Sequence, residues 1–266
     1  MKKTLTLFLT ATFMLASLSF VSFASESDST RVSVSICNGT VLVASEEIDV
    51  WDADNDGFLS INDALILTHD KLYNGGAQVG YSYTSGDYGL YITKLWGDTS
   101  GSFGYYLNHS MAYGLGDPIK DGDSITAFVY TDQVTWSDTY CFFDKSSVDA
   151  VKDEQIGLTL YASGFDSSFN PITYPLSGAV ITVNGEKTEY VTDKDGRVTI
   201  TLNTAGKALI SAISDSTTLV PPICKVNVSE NSPTGDTTLF IALAGGALLL
   251  SAFYLHSLRK QYEQQI

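Results

Sequence analysis

Three cysteines and three histidines stand in 266 residues. That scarcity removes most routes to nucleophilic, zinc or haem chemistry, each of which needs thiolates or imidazoles gathered in one place. Basic residues are also few: 15 Lys and Arg face 30 Asp and Glu, for a formal charge of −15. A protein that grips nucleic acid needs a basic footprint to displace phosphate counterions, so nucleic acid is excluded as a partner. With 44% apolar and 12% aromatic residues the chain carries enough hydrophobic material to fold. Its acidity therefore belongs to a solvated surface or to a cation site. Once both ends are set aside, the length suits two domains.

The ends carry an address. Residues 1–24 hold Lys2 and Lys3, an apolar run, and Ser22 and Ala24 at the −3 and −1 positions of a cleavage site. The pattern predicts a cleaved secretory signal peptide. Residues 237–258 form an apolar stretch of membrane-spanning length, predicted as a transmembrane helix, followed by a tail over residues 259–266 that opens with Arg259 and Lys260. Positive charge on that side predicts a cytoplasmic C-terminus.

Upstream, residues 231–236 read Asn231-Ser232-Pro233-Thr234-Gly235-Asp236. Pro-Thr-Gly, an apolar helix and a basic tail in this order resemble the sorting signal that sortases cleave. The resemblance implies cleavage between Thr234 and Gly235, with sortase and peptidoglycan as partners, in a Gram-positive bacterium. A retained single-pass anchor is the other reading. Both predict an extracellular protein held to the cell wall or to the cytoplasmic membrane. There thiols can oxidise, and Cys37, Cys141 and Cys224 leave two alternatives: one bridge, with Cys141 and Cys224 as a pair that the strand order allows, or three buried thiols.

Residues 31–145 read as one domain. Val32, Val34 and Ile36 alternate with polar residues, and Asn38-Gly39 marks a turn before Val41 and Val43, so a hairpin is expected. Ile61, Ala64, Leu65, Leu67 and Leu72 fall at helical spacing, with Ser60 and Asp63 placed as a capping box, which predicts one helix over 61–73. Strand-like runs follow at 90–95, 103–108, 125–131 and 136–143. The order β-β-α-β-β-β predicts an α+β, β-grasp domain. The runs Tyr88-Gly89-Leu90-Tyr91, Phe103-Gly104-Tyr105-Tyr106-Leu107-Asn108 and Asp121-Gly122-Asp123 together resemble bacterial β-grasp domains related to the C-terminal domain of transcobalamin. The resemblance implies a ligand face at Tyr88, Tyr106, Asn108 and Tyr113, suited to a corrinoid or another flat ligand. Ordinary strand packing is the alternative for those tyrosines.

Residues 153–230 show short alternating runs, with hairpin signals at Asn184-Gly185 and Asp195-Gly196 and no helical period. They predict a small all-β sandwich. Its segments 178–185 and 191–196 resemble bacterial immunoglobulin-like and prealbumin-like surface modules.

One segment carries strong chemistry. Residues 52–63 fit a twelve-residue calcium loop, with Asp52, Asp54 and Asp56 at positions 1, 3 and 5 and Gly57 at the sharp turn. The Phe58 carbonyl falls at position 7, Ser60 at 9 and Asp63 at 12. Carboxylates this close repel one another unless a divalent ion neutralises them, and oxygen-only donors select a hard cation, Ca2+. The loop also resembles a dockerin repeat. Dockerins use two such loops and one is found here, so the site is expected to clamp the helix start, with partner docking through that helix as the lesser reading. His69, His109 and His256 are isolated in the sequence, and no enzyme is expected. The expected function is a non-enzymatic, calcium-stabilised cell-surface binding or adhesion protein, its ligand a protein, a glycan or a corrinoid. Capture of a small ligand such as a corrinoid for delivery to a transporter is the alternative.

Overall fold

The computed structural model describes residues 29–230, a mostly β structure of seventeen strands and two helices. The signal region 1–24, the motif 231–236 with Thr234 and Gly235, the apolar segment 237–258 and the basic tail lie outside the described residues. Among the described residues no helix is long and apolar enough to cross a membrane.

The chain opens with β1 (Thr30–Asn38) and β2 (Thr40–Val50), an antiparallel pair turning at Gly39. After a loop come α1 (Ile61–Leu72), the short α2 (Gly76–Gly80), β3 (Ser82–Gly86), β4 (Gly89–Lys94), β5 (Phe103–Leu107), β6 (Ser110–Met111) and β7 (Ser124–Val129). The first sheet runs β2-β1-β7-β5-β6, with β1 and β7 parallel at its centre, while β3 and β4 form a separate ribbon. Period-two alternation turns Val32, Val34 and Ile36 of β1 to the same face as Ile125, Ala127 and Val129 of β7. Against that face α1 lays Ile61, Ala64 and Leu65, completing the first core. Each fully buried aliphatic side chain there stabilises the fold by about 1.5–3 kcal/mol.

The second unit contains β8 (Thr139–Phe143), β9 (Ser147–Val151), β10 (Gln155–Phe165), β11 (Pro171–Pro175), β12 (Val180–Val183), β13 (Glu186–Val191), β14 (Arg197–Thr201), β15 (Gly206–Ile213), β16 (Leu219–Val220) and β17 (Cys224–Ser229). They build two five-stranded sheets. One is β11-β10-β8-β16 with β14 also on β10, and the other is β13-β12-β15-β17-β9. Ile156, Leu158 and Leu160 of β10 meet Val226 and Val228 of β17 in the second core. The edge strand β11 is exposed along its whole length and has a proline at each end.

Two sequence expectations change here. The strand foreseen at 136–143 as the close of the first domain is β8, which pairs with β10 and buries Cys141 and Phe143 in the second core. The turn at Asn184-Gly185 joins β12 to β13 with both residues at positive φ, 51° and 86°, as the hairpin reading requires. The turn at Asp195-Gly196 does not make a hairpin: it carries the chain from β13 in one sheet to β14 in the other. Gly196 sits there at φ 72°, and a Cβ on it would run into the Leu160 carbonyl and crowd the Leu176 amide. Gly196→Ala is therefore expected to lower stability by about 2 kcal/mol, read as a drop in the urea midpoint at unchanged slope. An unshifted midpoint would show that the backbone yields without cost.

The units meet through the opposite face of the first sheet. Cys37, Tyr106 and Phe128 pack there on Tyr140 and Val220, a third buried apolar cluster. The rings of Tyr106 and Tyr140 stack at 3.8 Å and 8°, and His109 stacks on Phe142 at 3.8 Å. His109 Nδ1 lies 3.0 Å from the Tyr140 hydroxyl, and Lys225 Nζ donates to the Ser45 carbonyl at 2.6 Å.

All three thiols are buried and free, so the Cys141–Cys224 pair is not joined. Cys141 lies on β8 and Cys224 on β17, in different sheets of the unit, and Cys141 Sγ donates to the Val220 carbonyl at 3.3 Å. Burial pushes the Cys37 thiol up to about 12 and that of Cys224 up to about 11, so neither has thiolate character near neutrality.

Candidate metal centre

The loop between β2 and α1 turns sharply because Asn55 and Gly57 both take positive φ, 62° and 92°. Its far end is fixed by the helix start. Ser60 is the N-cap of α1 in extended conformation, and its Oγ accepts from the Asp63 amide. Asp63 Oδ2 accepts from the Ser60 amide at 2.9 Å and from Ser60 Oγ at 2.7 Å, which completes the capping box. Two further orphan amides of the helix, those of Ile61 and Asn62, donate to the Asp117 and Leu115 carbonyls, so the 115–119 segment backs the loop.

The carboxylates organise the loop from within. Asp63, fully buried, takes the Ala53 amide at 2.8 Å and the Asp54 amide at 3.2 Å on Oδ1, tying the loop's beginning to its end. Asp52 accepts from the Asp56 and Gly57 amides at 3.1 and 3.0 Å. Asp54 Oδ1 accepts from the Asp56 amide, and its Oδ2 accepts from Asn62 Nδ2 at 2.7 Å. Oxygens of Asp52, Asp54 and Asp63 lie within 4.8 Å of one another, a cluster that could hold a metal ion. Burial raises the Asp54 carboxyl above its ordinary value, helped by the charges of Asp63 and Asp56 and opposed by the Asn62 hydrogen bond. Concentrated negative charge with only oxygen donors is chemistry suited to a hard divalent cation.

Three of the expected side chains are thus brought together. Asp56 is not in that group: it is exposed and its Oδ1 accepts from the Phe58 amide at 2.9 Å. Ser60 Oγ is engaged by the cap, and Phe58 is 72% exposed.

Sequence reading passed over Asn62 and Tyr81. Asn62 is fully buried, and Tyr81 donates its hydroxyl to Asn62 Oδ1 at 2.9 Å. The available signal is that 62, 65 and 69 share one helical stripe, so two polar residues flank Leu65 on a face that must be buried. The second of them, His69, is also fully buried. Its Nε2 accepts from the Trp96 amide at 3.1 Å, which leaves Nδ1 to donate to the Leu65 carbonyl at 2.6 Å. Both nitrogens are thereby used by the neutral ring, and burial pushes its pKa down to about 4.

The four residues of the expected ligand face fall in different places. Tyr88 is fully exposed at the β3–β4 turn, and Tyr113 is 99% exposed. Tyr106 belongs to the junction between units. Asn108, at φ 50°, is a turn residue whose amide donates to Asp123 Oδ1 at 2.8 Å and accepts from the Ser124 amide at 2.9 Å. Tyr106 and Tyr113 share a cleft of about 470 Å3 between the units, which neither Tyr88 nor Asn108 lines. No family model matches this chain, and no curated protein matches it.

Proposed function

We propose that this chain is a non-enzymatic cell-surface binding or adhesion protein, a β-grasp domain clamped by Ca2+ and carried on an immunoglobulin-like module. The observation that carries the reading is the convergence of Asp52, Asp54 and Asp63 at the start of α1, in a segment whose twelve residues follow the spacing of a calcium loop. A parallel central pair, β1 and β7, with α1 packed on one face, supports the β-grasp assignment. Two five-stranded sheets around one core support the immunoglobulin-like one. The signal region and the 231–258 segment support display at the surface, with sortase and peptidoglycan as partners where the Pro-Thr-Gly motif is used. The ligand is then a protein or glycan met outside the cell.

Thermal melting of the full chain in calcium and in chelator tests the clamp. A cation bound only by the folded state at 100 times its Kd adds about 2.7 kcal/mol. For a fold of this size that corresponds to a rise in Tm of roughly 5–10 °C. The Asp52→Ala, Asp54→Ala double variant, which removes two of the three converging carboxylates, should melt at one temperature in both buffers, at or below the wild-type chelator value because the loop amides also lose their acceptors. No calcium shift in the wild type sinks the clamp, and a further shift on adding cobalamin would replace adhesion by ligand capture.

A further inference from the structure

We infer that Asn62 and Tyr81 are positioning residues that set the cation affinity of the 52–63 loop from behind Asp54. The inference rests on the calcium reading above and extends it to side chains outside the loop's ligand pattern. Both residues are nearly or wholly removed from solvent, Asn62 at 0% and Tyr81 at 5% exposure. A buried amide needs partners for its oxygen and its nitrogen, and here each has one of defined sense. The Tyr81 hydroxyl satisfies Asn62 Oδ1 at 2.9 Å, so Nδ2 is the end presented to Asp54 Oδ2 at 2.7 Å. The reversed amide would set an oxygen against the carboxylate. Asp54 is therefore held at one oxygen by a neutral donor, while its other oxygen stays within the loop.

Tyr81 is itself fixed. Its ring stacks on His69 at 4.9 Å, and His69 is pinned by the Trp96 amide and the Leu65 carbonyl. A continuous chain of contacts thus runs from the turn after β4, through His69, Tyr81 and Asn62, to loop position 3. Outer partners of this kind orient first-contact ligands, and their loss weakens metal affinity by about 10–100-fold.

Terbium luminescence of the full chain tests this, with Trp51 beside Asp52 as sensitiser and calcium as competitor. Asn62→Ala is expected to weaken terbium and calcium binding by about 10–100-fold, and Tyr81→Phe, which keeps the ring stack, by about tenfold or less but measurably. Melting in chelator accompanies each titration. A merely structural role would lower the chelator Tm and leave affinity untouched, so both variants binding at wild-type affinity overturns the inference while the calcium reading stands. Absence of a calcium-competed terbium signal from the wild type sinks the calcium reading and this inference together.

Discussion

Tyr140→Ala should cost about 3–5 kcal/mol, the range for emptying a large aromatic site, and should split a single unfolding transition into two. Tyr140 is 4% exposed, and its ring is the centre of the small cluster that joins the units. It stacks on Tyr106, and its hydroxyl lies 3.0 Å from His109 Nδ1 and 3.4 Å from Thr126 Oγ1. Each unit has a larger core of its own, so each can stay folded when that contact is lost. Tyr140→Phe keeps the stack and gives up only the hydroxyl contacts, for about 1 kcal/mol, with one transition retained. Calorimetry separates these outcomes: two transitions in the wild type would show that the junction does not couple the units, and a single transition in Tyr140→Ala would show that the coupling does not depend on this ring.

Acidification should destabilise the fold between pH 6.5 and 4, by up to about 3 kcal/mol from His69 alone. Burial holds the folded ring's pKa at about 4 against an ordinary 6.5. The unfolded chain therefore takes up the proton first. The contribution is fully present above about pH 6.5, shrinks as pH falls, and is exhausted near pH 4. The ring cannot accept a proton in place, because the Trp96 amide already points at Nε2. The Asp70 carboxylate tempers this by favouring the charged ring. Urea unfolding at pH 7 and pH 4.5 in chelator checks it, with His69→Gln as the partner variant. Glutamine can still meet the Trp96 amide but does not titrate, so its pH dependence should be flatter. Equal slopes in the two proteins would remove His69 as the cause.

Helix α1 was legible in detail because its signals are local. Ser60 and Asp63 are three residues apart, and the apolar spacing that follows admits one interpretation, so the expected 61–73 matches Ile61–Leu72 with Tyr73 as C-cap. The β1–β2 hairpin and the Asn184-Gly185 turn were legible for the same reason. What escaped depends on distant partners. The run Thr139-Tyr140-Cys141-Phe142-Phe143 has apolar character on both faces, because one face enters the second core and the other meets the first unit. Its composition therefore says strand and cannot say which sheet. Asp195-Gly196 reads locally like any hairpin turn, and only the Leu160 and Leu176 backbone beside Gly196 directs the chain to the other sheet. The convergence of Asp52, Asp54 and Asp63 was legible as spacing, while the buried Asn62–Tyr81 contact joins residues nineteen apart and has no motif.

Strand β11 carries a last consequence. Leu176 donates its amide to Leu160 across the ladder, so alternation turns positions 171, 173 and 175 outward. Two of those three are prolines, which leaves the Thr173 amide as the single outward donor on that strand. An incoming strand from a neighbouring molecule would find outward carbonyls but only one amide donor, too few to complete a ladder. Copies brought side by side are therefore kept from seeding fibres through this edge.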